Sequence, residues 1–295
     1  MRRLLMLPLF ALLGACGAPE EEGAPEEAVA RAPLTLPNAA YLPKPTGVCP
    51  EFTEGTLTFR PAGIAARNVQ IWISDAARTA DGPLVFYWHG TGGQPSQAVS
   101  GLGQTQIDAI KARGGIVAAP ASDPAAGTFP WFYVSSTSRD DDLRVADEVL
   151  ACALQKVGID TSRIHSLGFS AGGLQTTQMS YRRSGYIASV ATYSGGSMSS
   201  IPTQNPSNKF AAFIFHGGAQ DQVVINFQTA SQNYANDLRG KSQFALLCNH
   251  GKGHAIPSDA RAAVWQFFQA HPHGTVPSPW ASGTLPSSVP SYCAR

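Results

Sequence analysis

The pentapeptide Gly168-Phe169-Ser170-Ala171-Gly172 constrains this chain more than any other feature. It follows a strand-like run at 163–169 and opens a helix-like run at 171–183, the context in which G-x-S-x-G forms a sharp strand-to-helix turn. Such a turn is sterically crowded. Only small neighbours leave room for the strained serine, so the glycines are required by shape. The bend lifts the Ser170 hydroxyl above the sheet and aims the helix N-terminus at the same point. Ser170 is therefore the expected nucleophile.

The remaining periodicities agree. Residues 68–74 alternate apolar and polar, as a half-buried strand does. Residues 84–88 are apolar throughout, as in a strand covered on both faces. The polar connection 75–82 joins the two, and the pair reads as an opening hairpin. Repeated strand–helix pairs follow: helix 96–113, strand 115–119, helix 140–157, strands 188–193, 209–215 and 244–248, and a closing helix 259–270. This order predicts an α/β fold with a mostly parallel sheet and helices on both faces. Ligands of such sheets sit beyond the carboxyl ends of the strands, so polar residues just after each strand are the candidates for chemistry.

A serine hydroxyl is a poor nucleophile at neutral pH and needs a base oriented by an acid. On this architecture the partners follow in the order Ser, Asp or Glu, His. Between Ser170 and His254 only Asp221 and Asp237 are acidic. Asp237 falls in a helical segment at 226–238, where it reads as a solvated face. Asp221 follows the strand ending at Phe215 and is the expected acid. Of the later histidines, His271 and His273 end the last helix and are expected at the surface. His250 and His254 share a glycine-rich loop; His254 is the expected base, with His250 shaping the loop. The run His89-Gly90-Thr91-Gly92-Gly93 follows a buried strand and suits an oxyanion hole. The N–H groups of Thr91 and Ala171 are the expected donors, with Gly90 or Gly92 as alternatives to Thr91. A phosphate cradle is disfavoured, since neither G-K-[ST] nor G-x-G-x-x-G is present.

In order, H-G-T-G-G, D-D-D-L-R-V-A-D-E-V-L, I-D-T-S-R-I-H-S-L-G-F-S-A-G-G, S-G-G, F-H-G-G-A-Q-D and G-K-G-H resemble the polyhydroxybutyrate depolymerase and feruloyl esterase branch of the α/β-hydrolases, roughly over residues 80–270. The resemblance implies an extracellular carboxylic-ester hydrolase working through an acyl-enzyme without a cofactor, on polyester or hydroxycinnamoyl esters. A serine peptidase on the same scaffold and a non-catalytic surface-binding lipoprotein are the competing expectations. The branch often carries a Trp-rich segment before the D-D helix; here it reads Phe129-Pro130-Trp131-Phe132-Tyr133. These aromatics either line a hydrophobic pocket, with Trp131 and Phe132 as substrate-binding candidates, or anchor the loop in the core.

The N-terminus reads as an address. Met1-Arg2-Arg3 precedes an apolar run at 4–13, and Leu13-Gly14-Ala15-Cys16 resembles a bacterial lipobox. The expectation is a lipoprotein signal at 1–15, lipidation at Cys16 and, with Gly17 next, outer-membrane sorting; free secretion is the alternative. A Glu- and Pro-rich tether at 16–50, a catalytic domain at 51–272 and a tail at 273–295 complete the expected organisation. The net charge of +1 excludes nucleic-acid binding by bulk charge. Membrane contact is expected only through the anchor, and an ester is the expected partner. The other four cysteines, Cys49, Cys152, Cys248 and Cys293, suggest two disulfides in an exported chain, with three connectivities open. Topology favours Cys49–Cys152 and Cys248–Cys293. Neither C-x-x-C nor H-E-x-x-H occurs, so no metal is expected.

Overall fold

The unbroken apolar run at 84–88 belongs to β3 (Gly82–Trp88), which is buried at every position. Its alternate side chains feed two cores. Leu84, Phe86 and Trp88 pack in one cluster with Leu143, Val149 and Met179. Val85 and Tyr87 pack in the other with Leu102, Ile107, Ile110 and Phe267. This is the two-sided cover that a continuous apolar strand demands.

The computed structural model describes residues 39–198, 202–205 and 208–295. The expected signal, Cys16 and most of the expected tether lie outside them. Besides β3, the strands are β1 (Gly55–Phe59), β2 (Arg67–Trp72), β4 (Ile116–Pro120), β5 (Ile159–Phe169), β6 (Ser189–Tyr193), β7 (Ala211–His216), β8 (Ala245–Asn249) and β9 (Cys293–Ala294). They form one nine-stranded sheet in the order β1-β2-β4-β3-β5-β6-β7-β8-β9. The run from β4 to β8 is parallel, while β1, β2 and β9 are antiparallel to their neighbours. The helices are α1 (Gln97–Leu102), α2 (Gln104–Ala112), α3 (Asp141–Lys156), α4 (Ala171–Arg182), α5 (Phe227–Gly240) and α6 (Arg261–Ala270). Among the described residues, no helix is long and apolar enough to cross a membrane.

Three expectations change. β2 and β3 are not a hairpin: β4 lies between them, and β2 pairs with β1 instead. An all-apolar strand needs a neighbour on each side and takes the interior, whereas the alternating β2 is satisfied nearer the edge. The helix expected at 96–113 is two, broken at Gly103, whose φ of 86° only glycine adopts freely. His271 is fully buried rather than at the surface. Its Nδ1 bonds the Phe267 carbonyl and its Nε2 bonds Ser278 Oγ. Burial pushes its pKa down to about 4.

The cause is the tail, which folds back over the sheet. β9 pairs with β8, Cys293 is bonded to Cys248, and Trp280 packs against Phe213 and Phe267. At the other end, Thr46 and Gly47 donate their N–H groups to the buried Glu148, and Cys49 is bonded to Cys152. The last part of the segment that composition marks as tether is thus fastened to α3.

Candidate active site

Ser170 sits between β5 and α4 at φ 58° and ψ −123°, outside the regions an L-residue prefers. Its N–H donates to the Tyr193 carbonyl at 2.9 Å, which ties the turn to the neighbouring strand β6. A Cβ at Gly172 would lie 1.9 Å from the Trp88 carbonyl oxygen, so α4 can approach β3 this closely only with glycine there.

The residues expected as acid and base arrive on loops after β7 and β8. These loops meet at Gly217, where a Cβ would lie 1.8 Å from the Gly253 carbonyl oxygen. Gly253 N–H donates to the Gly217 carbonyl across the same gap. The contact brings His254 between the two other expected residues: its Nε2 is 2.8 Å from Ser170 Oγ, and its Nδ1 is 2.7 Å from Asp221 Oδ1. Phe169 and Phe227 flank the imidazole at centroid distances of 4.8 and 4.7 Å. A carboxylate can only accept, so Nδ1 carries a proton and Nε2 is left to accept from the Ser170 hydroxyl.

Asp221 is fully buried. Burial alone would raise its pKa, but the donors around it prevail and hold the carboxyl below the usual carboxylate range. Besides His254, these donors are the Gly217 N–H and the Ser194 hydroxyl, each 2.8 Å from Oδ2. The part played by Ser194 is not among the roles the sequence predicts. Its signal was present: Ser194 opens the S-G-G run directly after β6, at the sheet edge where function is expected. The other candidates are occupied elsewhere. Asp237 accepts from Tyr181 Oη and Lys241 Nζ. His250 accepts the Lys252 N–H on ring Nδ1 and donates its backbone N–H to the His216 carbonyl, which fits a loop-shaping part.

Ser170 and His254 open onto a cavity of about 540 Å³ whose wall includes Thr91, Ala171, Phe129, Tyr133, Leu174 and Phe227. The Gly90 N–H donates to Gln97 Oε1 at 2.9 Å, which removes it as an oxyanion donor and leaves Thr91 or Gly92 with Ala171. Trp131 and Phe132 need correction: neither lines the cavity. Both are fully buried. The Trp131 indole N–H donates to the His89 carbonyl at 3.0 Å, and its ring meets Trp88 edge-on. The Phe132 N–H donates to Asp142, whose carboxylate also holds Arg67. An indole N–H must find a partner when buried, and this one finds it beneath the glycine-rich loop. Among the described residues, the His/Cys/Asp/Glu group with ligand-like spacing is Cys49, Glu148 and Cys152, where the disulfide consumes both thiols.

A profile of the phospholipase/carboxylesterase family matches residues 76–272. Among solved structures, a complex of a pOPH variant with pNPB superposes with TM-score 0.67 at 16% identity, covering 82% of this chain and 94% of that one. Native sOPH gives 0.66 at 18%, covering 86% and 96%. A phospholipase/carboxylesterase from Dyadobacter fermentans DSM 18053 gives 0.53 at 18%, covering 68% and 95%. At these identities the likeness is one of fold. No curated protein sequence matches the chain.

Proposed function

This chain belongs to the phospholipase/carboxylesterase family of α/β-hydrolases, and we propose that it is an exported hydrolase that cleaves carboxylic esters through an acyl-enzyme on Ser170. The observation that carries this is the chain of hydrogen bonds from Asp221 through His254 to Ser170, at 2.7 and 2.8 Å, opening on an apolar cavity. His254 Nε2 takes the Ser170 proton as Oγ attacks the ester carbonyl. The ionised Asp221 stabilises the imidazolium. The Thr91 and Ala171 N–H groups receive the developing oxyanion. His254 then protonates the leaving alcohol, and a water activated by the same imidazole releases the acid.

The ordered motifs support a place in the polyhydroxybutyrate depolymerase and feruloyl esterase branch, with polyester or hydroxycinnamoyl esters as substrates. The signal-like N-terminus supports export and lipidation at Cys16. The two disulfides are what an oxidising compartment allows.

A fluorophosphonate probe tests the reading. Wild type should be labelled and should hydrolyse short esters faster than the matched anilides. Ser170→Ala should lose the label and several orders of magnitude in rate while keeping its fold. Near-normal turnover in that variant would remove Ser170 from the mechanism. Metabolic labelling with a fatty-acid analogue, compared with Cys16→Ser, tests the anchor; a soluble, unlabelled wild type would refute it.

A further inference from the structure

The wall of the cavity above Ser170 carries no Asp, Glu, Lys or Arg among the described residues. The sequence extends this observation. Three segments supply most of the border, and none of their described residues 124–138, 194–198 or 222–236 is charged. Three exposed apolar side chains also stand on this border: Met198, Val223 and Val224, at 49%, 62% and 71% of full exposure. Apolar side chains left in water around a site mark a surface that something apolar covers.

The two valines belong to a closed loop. Gln222 bridges Asn226, and Val223 N–H donates to the Ile225 carbonyl. At its base Phe227 N–H donates to the Asp221 carbonyl at 2.9 Å. One short loop therefore holds the acid, presents two valines to the mouth and supplies the ring that packs on His254. A group bound against the valines is thereby registered against the hydrogen-bond chain.

We propose that Val223 and Val224 determine specificity, selecting esters that are neutral and apolar in the part that fills the cavity and rejecting esters with a carboxylate or phosphate there. The inference rests on the esterase reading and narrows it within a family whose name includes phospholipases. An anion entering this cavity loses its water and meets no cation on the wall. A cation that touches the lining is Arg182. Its guanidinium lies 3.8 Å from the Tyr133 ring centroid and its Nε donates to Gln178 Oε1. It touches two lining residues without lining the cavity itself. The ionised Asp221 behind His254 disfavours an anion further.

The test compares p-nitrophenyl hexanoate with p-nitrophenyl hydrogen adipate, equal in carbon count and different in a terminal carboxylate. Each kcat/KM is divided by the ester's own hydroxide-catalysed rate. Wild type should prefer the neutral ester by about 100-fold or more, the scale set by burying an unpaired charge. Val224→Lys and Val223→Lys should each cut that preference by at least ~10-fold, mainly through KM, because an added cation pairs the carboxylate. Both variants should keep fluorophosphonate labelling of Ser170, which shows the nucleophile intact. A wild-type ratio near one would overturn the inference, as would a ratio unmoved by both substitutions. A preference for the anionic ester that disappears in Arg182→Ala would transfer specificity to Arg182 and also overturn it. If wild type neither hydrolyses an ester nor takes the label, the esterase reading falls and this inference falls with it, whereas hydrolysis at a ratio near one overturns the inference alone.

Discussion

Ser194 offers a graded test of how Asp221 is held. Ser194 is fully buried, and its hydroxyl is one of two donors to Asp221 Oδ2. Ser194→Ala removes that donor at a place water does not reach. A hydrogen bond to a charged group contributes about 1.5–3 kcal/mol, and this sets the expected loss of stability. The remaining donors still hold Asp221, and its bond to His254 is untouched. The rate should therefore fall about tenfold, equivalent to 1.4 kcal/mol of the barrier. Replacing the acid itself, in Asp221→Asn, should cost on the order of 10⁴. Backbone strain is a confounder, because Ser194 has φ 47°. Ser194→Gly separates the two effects: it should show the same fall in kcat with a smaller loss of stability, since glycine adopts that φ freely. The pH dependence has a definite sign. Asp221 has a depressed pKa, so the stability it contributes is present above its unfolded value and is lost as pH falls through the folded one. The gap between wild type and Ser194→Ala should be full at neutral pH and should close in acid. Ester turnover and urea unfolding at several pH values measure both quantities. Unchanged turnover and stability in Ser194→Ala would refute the reasoning. So would a rate loss equal to that of Asp221→Asn, which would mean that Ser194 alone keeps the acid in place.

Two further outcomes are expected. Trp131→Phe should lower stability by about 1–3 kcal/mol by orphaning the His89 carbonyl, and should leave KM for short esters and the dependence on acyl length unchanged. Phe129→Ala, on the cavity wall, should change the acyl-length dependence; a shift of that profile in Trp131→Phe instead would return Trp131 to the pocket. The protein should also lose stability on mild acidification. Burial, chiefly, pushes His165 down to about 3 and His271 to about 4. Both stay neutral when folded, while the unfolded chain takes up protons below about pH 6.5. Their contribution is thus complete above that pH and falls by ~1.4 kcal/mol per pH unit for each histidine as the pH drops toward the folded values. Urea unfolding at pH 7 and pH 5 should show the loss, and His271→Asn should make it smaller; equal slopes would exclude His271 as a source.

The residues that the sequence makes legible are those whose position follows from covalent order and strand ends. Ser170 is marked by its own turn. Asp221 is separated from Asp237 because one follows a strand and the other lies within a helix. What stays hidden depends on distant partners. An aromatic run has the same hydropathy whether it lines a cavity or anchors a loop. For Trp131 the choice is made by the His89 carbonyl, far away in the chain. The burial of His271 depends on Ser278 and Trp280, which composition places in a tail. The order of β2, β4 and β3 likewise reflects competition for the sheet interior, which no single strand's pattern contains.

The tail shows the same principle at the site itself. The family match ends at residue 272, yet the last residues of the chain bear on the loop that carries His254. β8 ends at Asn249, whose N–H donates to the Tyr292 carbonyl. Cys248, just before it, is bonded to Cys293, and the Tyr292 ring meets the His250 ring edge-on. The start of the base loop is therefore held by a disulfide, a backbone hydrogen bond and a ring contact, all from one segment. Its far end is held by Gly253 against Gly217 on the acid loop. With both ends fixed, the loop has few ways to place His254. The 2.8 Å contact with Ser170 is then a consequence of how the sheet edge is closed, rather than of the bond itself. In the mechanism proposed above, a network held at several points in this way is pre-organised for the charge that would develop during attack, which is where a site of that kind gains most of its rate.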